Sequence, residues 1–256
     1  MSSAAVLCGS PGALVEATYA LAHRLRRLPW LLVSLLVGSV GALLLSASMI
    51  TLGAFTSRTL LSVSLISDAN ARVPTWLASH PTPFLIDAAD AGYMLADAWA
   101  LGPLVLGASV VLMLAGRWRS ATFLILAGLV EIWGYALTAA FVRWQTTGKA
   151  GSSNFPWIPV PAGRVAAAIA IYGAVAFLVS AELRNWWARS IFWASALAIS
   201  FSVAASAVYR GDHHLVDIAG GAVMGMGALF VALVAEHVAG IVAELRRQKL
   251  GNGVST

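Results

Sequence analysis

Eight residues near the C-terminal third, Arg210-Gly211-Asp212-His213-His214-Leu215-Val216-Asp217, gather cations, imidazoles and carboxylates. His213 and Asp217 are spaced i, i+4, so on a helix both side chains lie on one face within hydrogen-bond reach. A carboxylate so placed orients an imidazole and raises its basicity. Upstream, Pro161-Ala162-Gly163-Arg164 opens an apolar stretch. That puts Arg164 near a helix start, where backbone N–H groups favour an anion. Lys149 adds a further cation in the loop before it. Guanidinium and ammonium groups hold phosphate well, and cations beside an imidazole and a carboxylate suggest an anionic ligand. On residue types alone, the His213–Asp217 pair is also readable as a cap at a helix start, Arg164 as a snorkelling residue, and Lys149 as a solvated loop lysine. His214 turns about 100° from His213 on a helix and reads as an interface residue.

The elements that must position these residues are membrane spans. The 256-residue chain is 59% hydrophobic and 11% charged, whereas a soluble domain carries about 25% charged residues. Mean hydropathy is +0.82, and the apolar residues fall into blocks of about 20, each long enough to cross a hydrocarbon core as a helix. The expected fold class is all-α, a polytopic bundle of about six spans: 29–55, 93–115, 121–142, 163–182, 190–209 and 215–240. Four regions follow: an N-terminal segment 1–28, the first span with a mixed segment 29–92, a bundle 93–240 and a polar tail 241–256. Within the second region, 56–92 reads as short amphipathic helices in the membrane interface. No internal repeat is evident.

Lys and Arg total 16 for a net charge of +5, and no basic run exceeds a pair. A nucleic-acid-binding stripe is therefore not expected; attraction to anionic headgroups is. With the N-terminus cytoplasmic, ten cations fall on the inner side, in short flanks such as Arg24-Leu25-Arg26-Arg27, Arg117-Trp118-Arg119 and Arg246-Arg247. Both termini are then cytoplasmic and the His213 turn external. Trp30, Trp118, Trp144, Trp186 and Trp187 lie at span ends as interfacial anchors. Cys8 is the sole cysteine, so no intrachain disulfide forms. Neither a lipoprotein cleavage site at Val6-Leu7-Cys8, which lacks a preceding apolar stretch, nor a cleavable signal peptide is expected. Asp97 and Glu131 fall inside spans and are functional candidates on that ground, although protonation or hydrogen bonding within the bundle is the readier account of each. Glu236 and His237 are expected to snorkel at the inner end of the last span. Small residues in 220–227, notably Gly221 and Gly225, favour close helix packing.

The stretch Ser206-Ala207-Val208-Tyr209-Arg210-Gly211-Asp212-His213-His214-Leu215-Val216-Asp217 resembles the third motif of the type 2 phosphatidic acid phosphatase superfamily, S-R, five residues, H, three residues, D. Pro161-Ala162-Gly163-Arg164 resembles the second motif, P-S-G-H. The first, K, six residues, R-P, falls on Val142 to Lys149-Ala150. The resemblance covers about 93–240. It implies a metal-independent hydrolase with no cofactor, in which His213 is the nucleophile that takes a phosphoryl group and Asp217 holds it. It also implies that Gly163, Arg164, Arg210 and Lys149 surround the substrate phosphate. The departures qualify it: Arg164 stands where the family has its acid His, Ala162 for Ser, Ala207 for Arg, Val142 for Lys, and Lys149-Ala150 for Arg-Pro. General acid catalysis is worth roughly 10²–10⁴-fold. A diphosphate, whose leaving group is a weak base, suffers least from its loss.

Two function classes follow. One is a membrane phosphatase or phosphotransferase acting on a lipid or polyprenyl phosphate or diphosphate, at the cell envelope. The other is an inactive descendant that binds such a lipid as a sensor or complex subunit. A transporter has only Asp97 and Glu131 behind it. Membrane lipids are the other expected partners.

Overall fold

The computed structural model describes residues 12–60, 62–148 and 161–252, and they form helices in the order the hydropathy requires. These are α1 (Ala13–Leu25), α2 (Trp30–Phe55), α3 (Ser64–Ala78), α4 (Pro83–Met94), α5 (Ala98–Leu114), α6 (Trp118–Gly148), α7 (Gly163–Glu182), α8 (Trp186–Tyr209) and α9 (Leu215–Asn252). A π-helical turn, Thr56–Leu60, extends α2. Helices α2, α6, α7, α8 and α9 are each long and apolar enough to cross a membrane, and α4 with α5 form a sixth candidate span bent by 41°. Large apolar side chains such as Leu44, Leu106, Leu114, Leu197 and Phe201 lie exposed on the outside of the bundle. That is the surface lipid solvates.

Local chemistry explains the boundaries. Thr82 accepts a hydrogen bond from the Leu85 N–H, with Pro83 opening α4, and Asn185 accepts from Trp187 N at the start of α8; both are standard N-caps. Gly116 and Gly211 take φ of 73° and 72° just past α5 and α8, the left-handed conformation that closes a helix and that glycine adopts without strain.

The expected second span, 93–115, corresponds to the end of α4 and the whole of α5, two helices separated by a break at residues 95–97 that together form the bent candidate span. Asp97 is an N-cap at this break, accepting from the Ala98 N–H at 2.8 Å. The Tyr172 hydroxyl donates to the Leu95 carbonyl at 2.7 Å. A broken helix inside a membrane survives only if its freed polar groups find partners; here one carboxylate and one phenol supply them. Residues 83–92 of the mixed segment thus lie in the first arm of that bent helix pair. Gly92 of α4 packs so tightly on α8 that a Cβ there would come 2.2 Å from Ser206 Oγ.

One expectation is corrected. The helix carrying Glu236 runs on past the expected span to Asn252. Glu236 does not snorkel: it is buried, accepts a 2.8 Å hydrogen bond from Ser34 Oγ, and lies 3.8 Å from Arg119 Nε. His237, its neighbour, is exposed.

The contact between α7 and α9 sets the geometry of the site. A Cβ on Gly221 would lie 2.5 Å from the Ala162 carbonyl oxygen, and one on Gly225 would lie 2.5 Å from the Ala166 carbonyl oxygen. Small residues at these positions let two backbones meet, as the sequence pattern suggested. The Ala162 N–H also donates to the Asp217 carbonyl at 2.9 Å. The first turns of α7 and α9 are thereby fixed side by side.

Candidate functional site

Because α7 and α9 begin together, the two motif segments meet at one end of the bundle. Asp217, in the first turn of α9, is buried at 5% exposure. Its Oδ2 accepts from the His214 N–H at 3.0 Å, the return half of a capping box. The same oxygen lies 3.7 Å from His213 Nδ1 and 3.7 Å from His214 Nδ1. Two imidazoles therefore flank one carboxylate. Asp217 Oδ1 is buried and has no hydrogen-bond partner among the described residues. The first turn of α9 gains a second cap from outside: the buried Asn70 of α3 accepts from the Val216 N–H through Oδ1 at 3.0 Å.

Arg164 lies in the first turn of α7 with its guanidinium carbon 3.9 Å from the centroid of the Tyr93 ring. Arg210, following α8, lies 4.3 Å from the same centroid. The two guanidinium carbons are thus at most about 8 Å apart. Tyr93 sits there because the break after α4 brings the end of that helix against α8. The two arginines differ in charge balance. Arg210 pairs with Asp90 and, at 3.4 Å, with Asp212. Arg164 forms no ion pair among the described residues and stacks instead on the ring of Tyr93. Gly163 cannot carry a side chain without moving Tyr135, since a Cβ would approach that ring to 2.9 Å.

Arg164, Gly163 and His213 line one cavity of about 650 Å³. On α6 it runs from Tyr135 down to Ile125, ten residues and so about 15 Å of helix. Its walls are mostly apolar, with Leu101, Val105 and Ile171 among them, and Glu131 is the acidic residue in them. A charged mouth above a long apolar channel suits a molecule with an anionic head and a hydrocarbon chain.

Of the residues expected at the site, His213, Asp217, Gly163, Arg164 and Arg210 come together. Lys149 and Ala150 lie outside the described residues. Val142 is buried. No group of three or more metal-ligating side chains occurs among the described residues. Sequence reasoning missed Tyr93, Asp90 and Asn70. Asp90 and Tyr93 stand i, i+3 across the expected boundary between the interfacial segment 56–92 and the span 93–115, and nothing in that spacing marks a platform for arginines on two other helices.

Comparison with known proteins agrees with this architecture. Residues 136–239 match the model of the PAP2 superfamily, a stretch that contains the Pro161–Arg164 and His213–Asp217 segments. No curated protein matches the chain. Among solved structures, the crystal structure of a transmembrane PAP2-type phosphatidylglycerolphosphate phosphatase from Bacillus subtilis superposes with a TM-score of 0.58. Identity is 17%, and the alignment covers 73% of this chain and 93% of that one; at that identity the likeness speaks for the fold.

Proposed function

The chain carries a PAP2-superfamily region on a transmembrane PAP2 fold, and from that starting point we propose that it binds the headgroup of a lipid or polyprenyl phosphate or diphosphate between Arg164 and His213 and hydrolyses it. The observation that supports this reading best is the shared cavity: Arg164 and His213, from separate helix starts, line the mouth of one apolar channel. A soluble phosphate needs no 15 Å hydrocarbon wall below its binding site; a lipid does.

In this reading Arg164 and the N–H groups at the start of α7 neutralise the phosphoryl oxygens. Asp217 holds His213 through Nδ1, leaving Nε2 to attack phosphorus. The bond to the leaving oxygen breaks, and water then releases phosphate from the imidazole. Arg210, neutralised by Asp90 and Asp212, works through Tyr93, whose ring it shares with Arg164. With Arg164 at the acid position, a diphosphate is favoured over a monoester, because its leaving phosphate needs little proton assistance. The site faces the external side, since the short cation-bearing flanks lie at the other end of the spans.

One observation favours a second reading, a lipid-phosphate-binding protein without turnover: His213 is the one imidazole lining this cavity among the described residues, so no second histidine stands ready as acid. Phosphate release from undecaprenyl diphosphate and from phosphatidate by the purified protein, beside His213→Ala, separates the two. Release that depends on His213 supports hydrolysis. Equal background from both proteins, with binding that Arg164→Ala abolishes, supports the second reading. Neither release nor binding refutes both.

A further inference from the structure

Glu131 is 4% exposed, yet it lines the cavity and has no hydrogen-bond or ion-pair partner among the described residues. A polar group buried without a partner is costly. Glu236 and Asp217 are each held through one carboxylate oxygen, by the Ser34 hydroxyl and the His214 N–H, while the other oxygen of each is buried without a hydrogen-bond partner among the described residues; Glu131 has neither kind of bond. Between Phe123 and Gly134 it is the one charged or hydroxyl-bearing residue of α6.

Its depth is defined. Tyr135, four residues on and on the same face of α6, abuts Gly163 at the start of α7. Glu131 therefore stands one turn, about 6 Å, below the level of the headgroup site. It is too deep to touch the phosphoryl oxygens but level with the first carbons of a lipid whose phosphate sits at Arg164.

We propose that Glu131 is a specificity-determining subsite that selects lipid phosphates bearing a hydroxyl or amino group on the carbons next to the phosphoester. Such a group supplies the donor that the buried carboxyl lacks. A lipid with plain hydrocarbon there, such as a polyprenyl phosphate, leaves the carboxyl unsatisfied. This deepens the lipid-phosphate reading of the mouth, on which it rests, and narrows the substrate class within it.

The test is equilibrium binding in detergent of two probes, hexadecyl phosphate and the same molecule with a hydroxyl on the carbon beside the ester carbon. Wild type should bind the hydroxylated probe about 10-fold tighter. Glu131→Leu should erase that preference while still binding hexadecyl phosphate, which requires only the mouth and the channel. Glu131→Gln, whose amide still accepts a hydrogen bond, should keep part of it. Should Glu131→Leu bind neither probe, the glutamine variant decides: retained preference upholds the subsite, and no preference overturns it. Equal affinity of wild type for both probes, weakened alike by Arg164→Ala, overturns the subsite and leaves the headgroup site standing. Binding of neither probe to wild type overturns both.

Discussion

Adjacent glycines in α9 give a sharp test of how the site is held together. Converting Gly221 to Ala places a Cβ 2.5 Å from the Ala162 carbonyl oxygen, whereas ordinary contact begins near 3.4 Å. The obstacle is backbone, not the tip of a flexible side chain, so α7 and α9 must part by about 0.9 Å at their first turns. Overpacking of this kind costs about 1–3 kcal/mol. Replacing glycine by alanine inside a helix returns about 1 kcal/mol. The net loss of stability is therefore modest, about 0–2 kcal/mol on those two figures. Function should suffer far more. The displaced pair carries Arg164 on one side and His213 on the other, and a misplacement of about 1 Å costs on the order of 10²-fold in rate. Gly220→Ala is the control: its Cβ would meet the Pro161 Cα at 3.6 Å, an ordinary contact, so it should be neutral or slightly stabilising. The assay pairs thermal unfolding in detergent with lipid diphosphate hydrolysis for both variants. If Gly221→Ala keeps full activity, or if the two substitutions behave alike, the α7–α9 contact does not set the geometry of the site.

Other substitutions probe separate parts of the account. Tyr93→Leu removes the ring under both arginines and should weaken lipid-phosphate binding about 3- to 10-fold, with Tyr93→Phe close to wild type; a titration with a short-chain lipid phosphate reads both. Asn70→Ala deletes the acceptor for the Val216 N–H and should cost about 1 kcal/mol of stability, visible as a lowered melting temperature. Ser34→Ala leaves the buried Glu236 without its hydroxyl partner and should destabilise by about 1–3 kcal/mol, without changing the affinity for lipid phosphate, because that pair lies far down α9 from the site.

Much of the fold was legible because a bilayer permits few solutions. Blocks of about 20 apolar residues bounded by arginines and tryptophans can only be spans, and the positions of α2, α7 and α8 follow from them. The helix break at 95–97 was not legible. Leu95 and Ala96 are as apolar as the residues around them, and the break depends on Tyr172, which stands 77 positions away and stabilises it. Glu236 was misread for a related reason. Its burial depends on Ser34 and Arg119, both distant in sequence, which local hydropathy does not see. At the site, the i, i+4 spacing of His213 and Asp217 and the apolar run after Arg164 marked two helix starts, and Gly221 and Gly225 marked the face that unites them. Tyr93 was out of reach, since an aromatic platform shared by arginines of two other helices leaves no spacing signal.

The most direct test of the central claim is to follow the phosphoryl group itself. The purified protein would be mixed with a lipid diphosphate, quenched in base and digested, and its peptides examined by mass spectrometry. The account predicts a single transient phosphoryl group on the peptide carrying His213, absent from His213→Ala. Turnover with that peptide unmodified, or a phosphoryl group on any other residue, would contradict it.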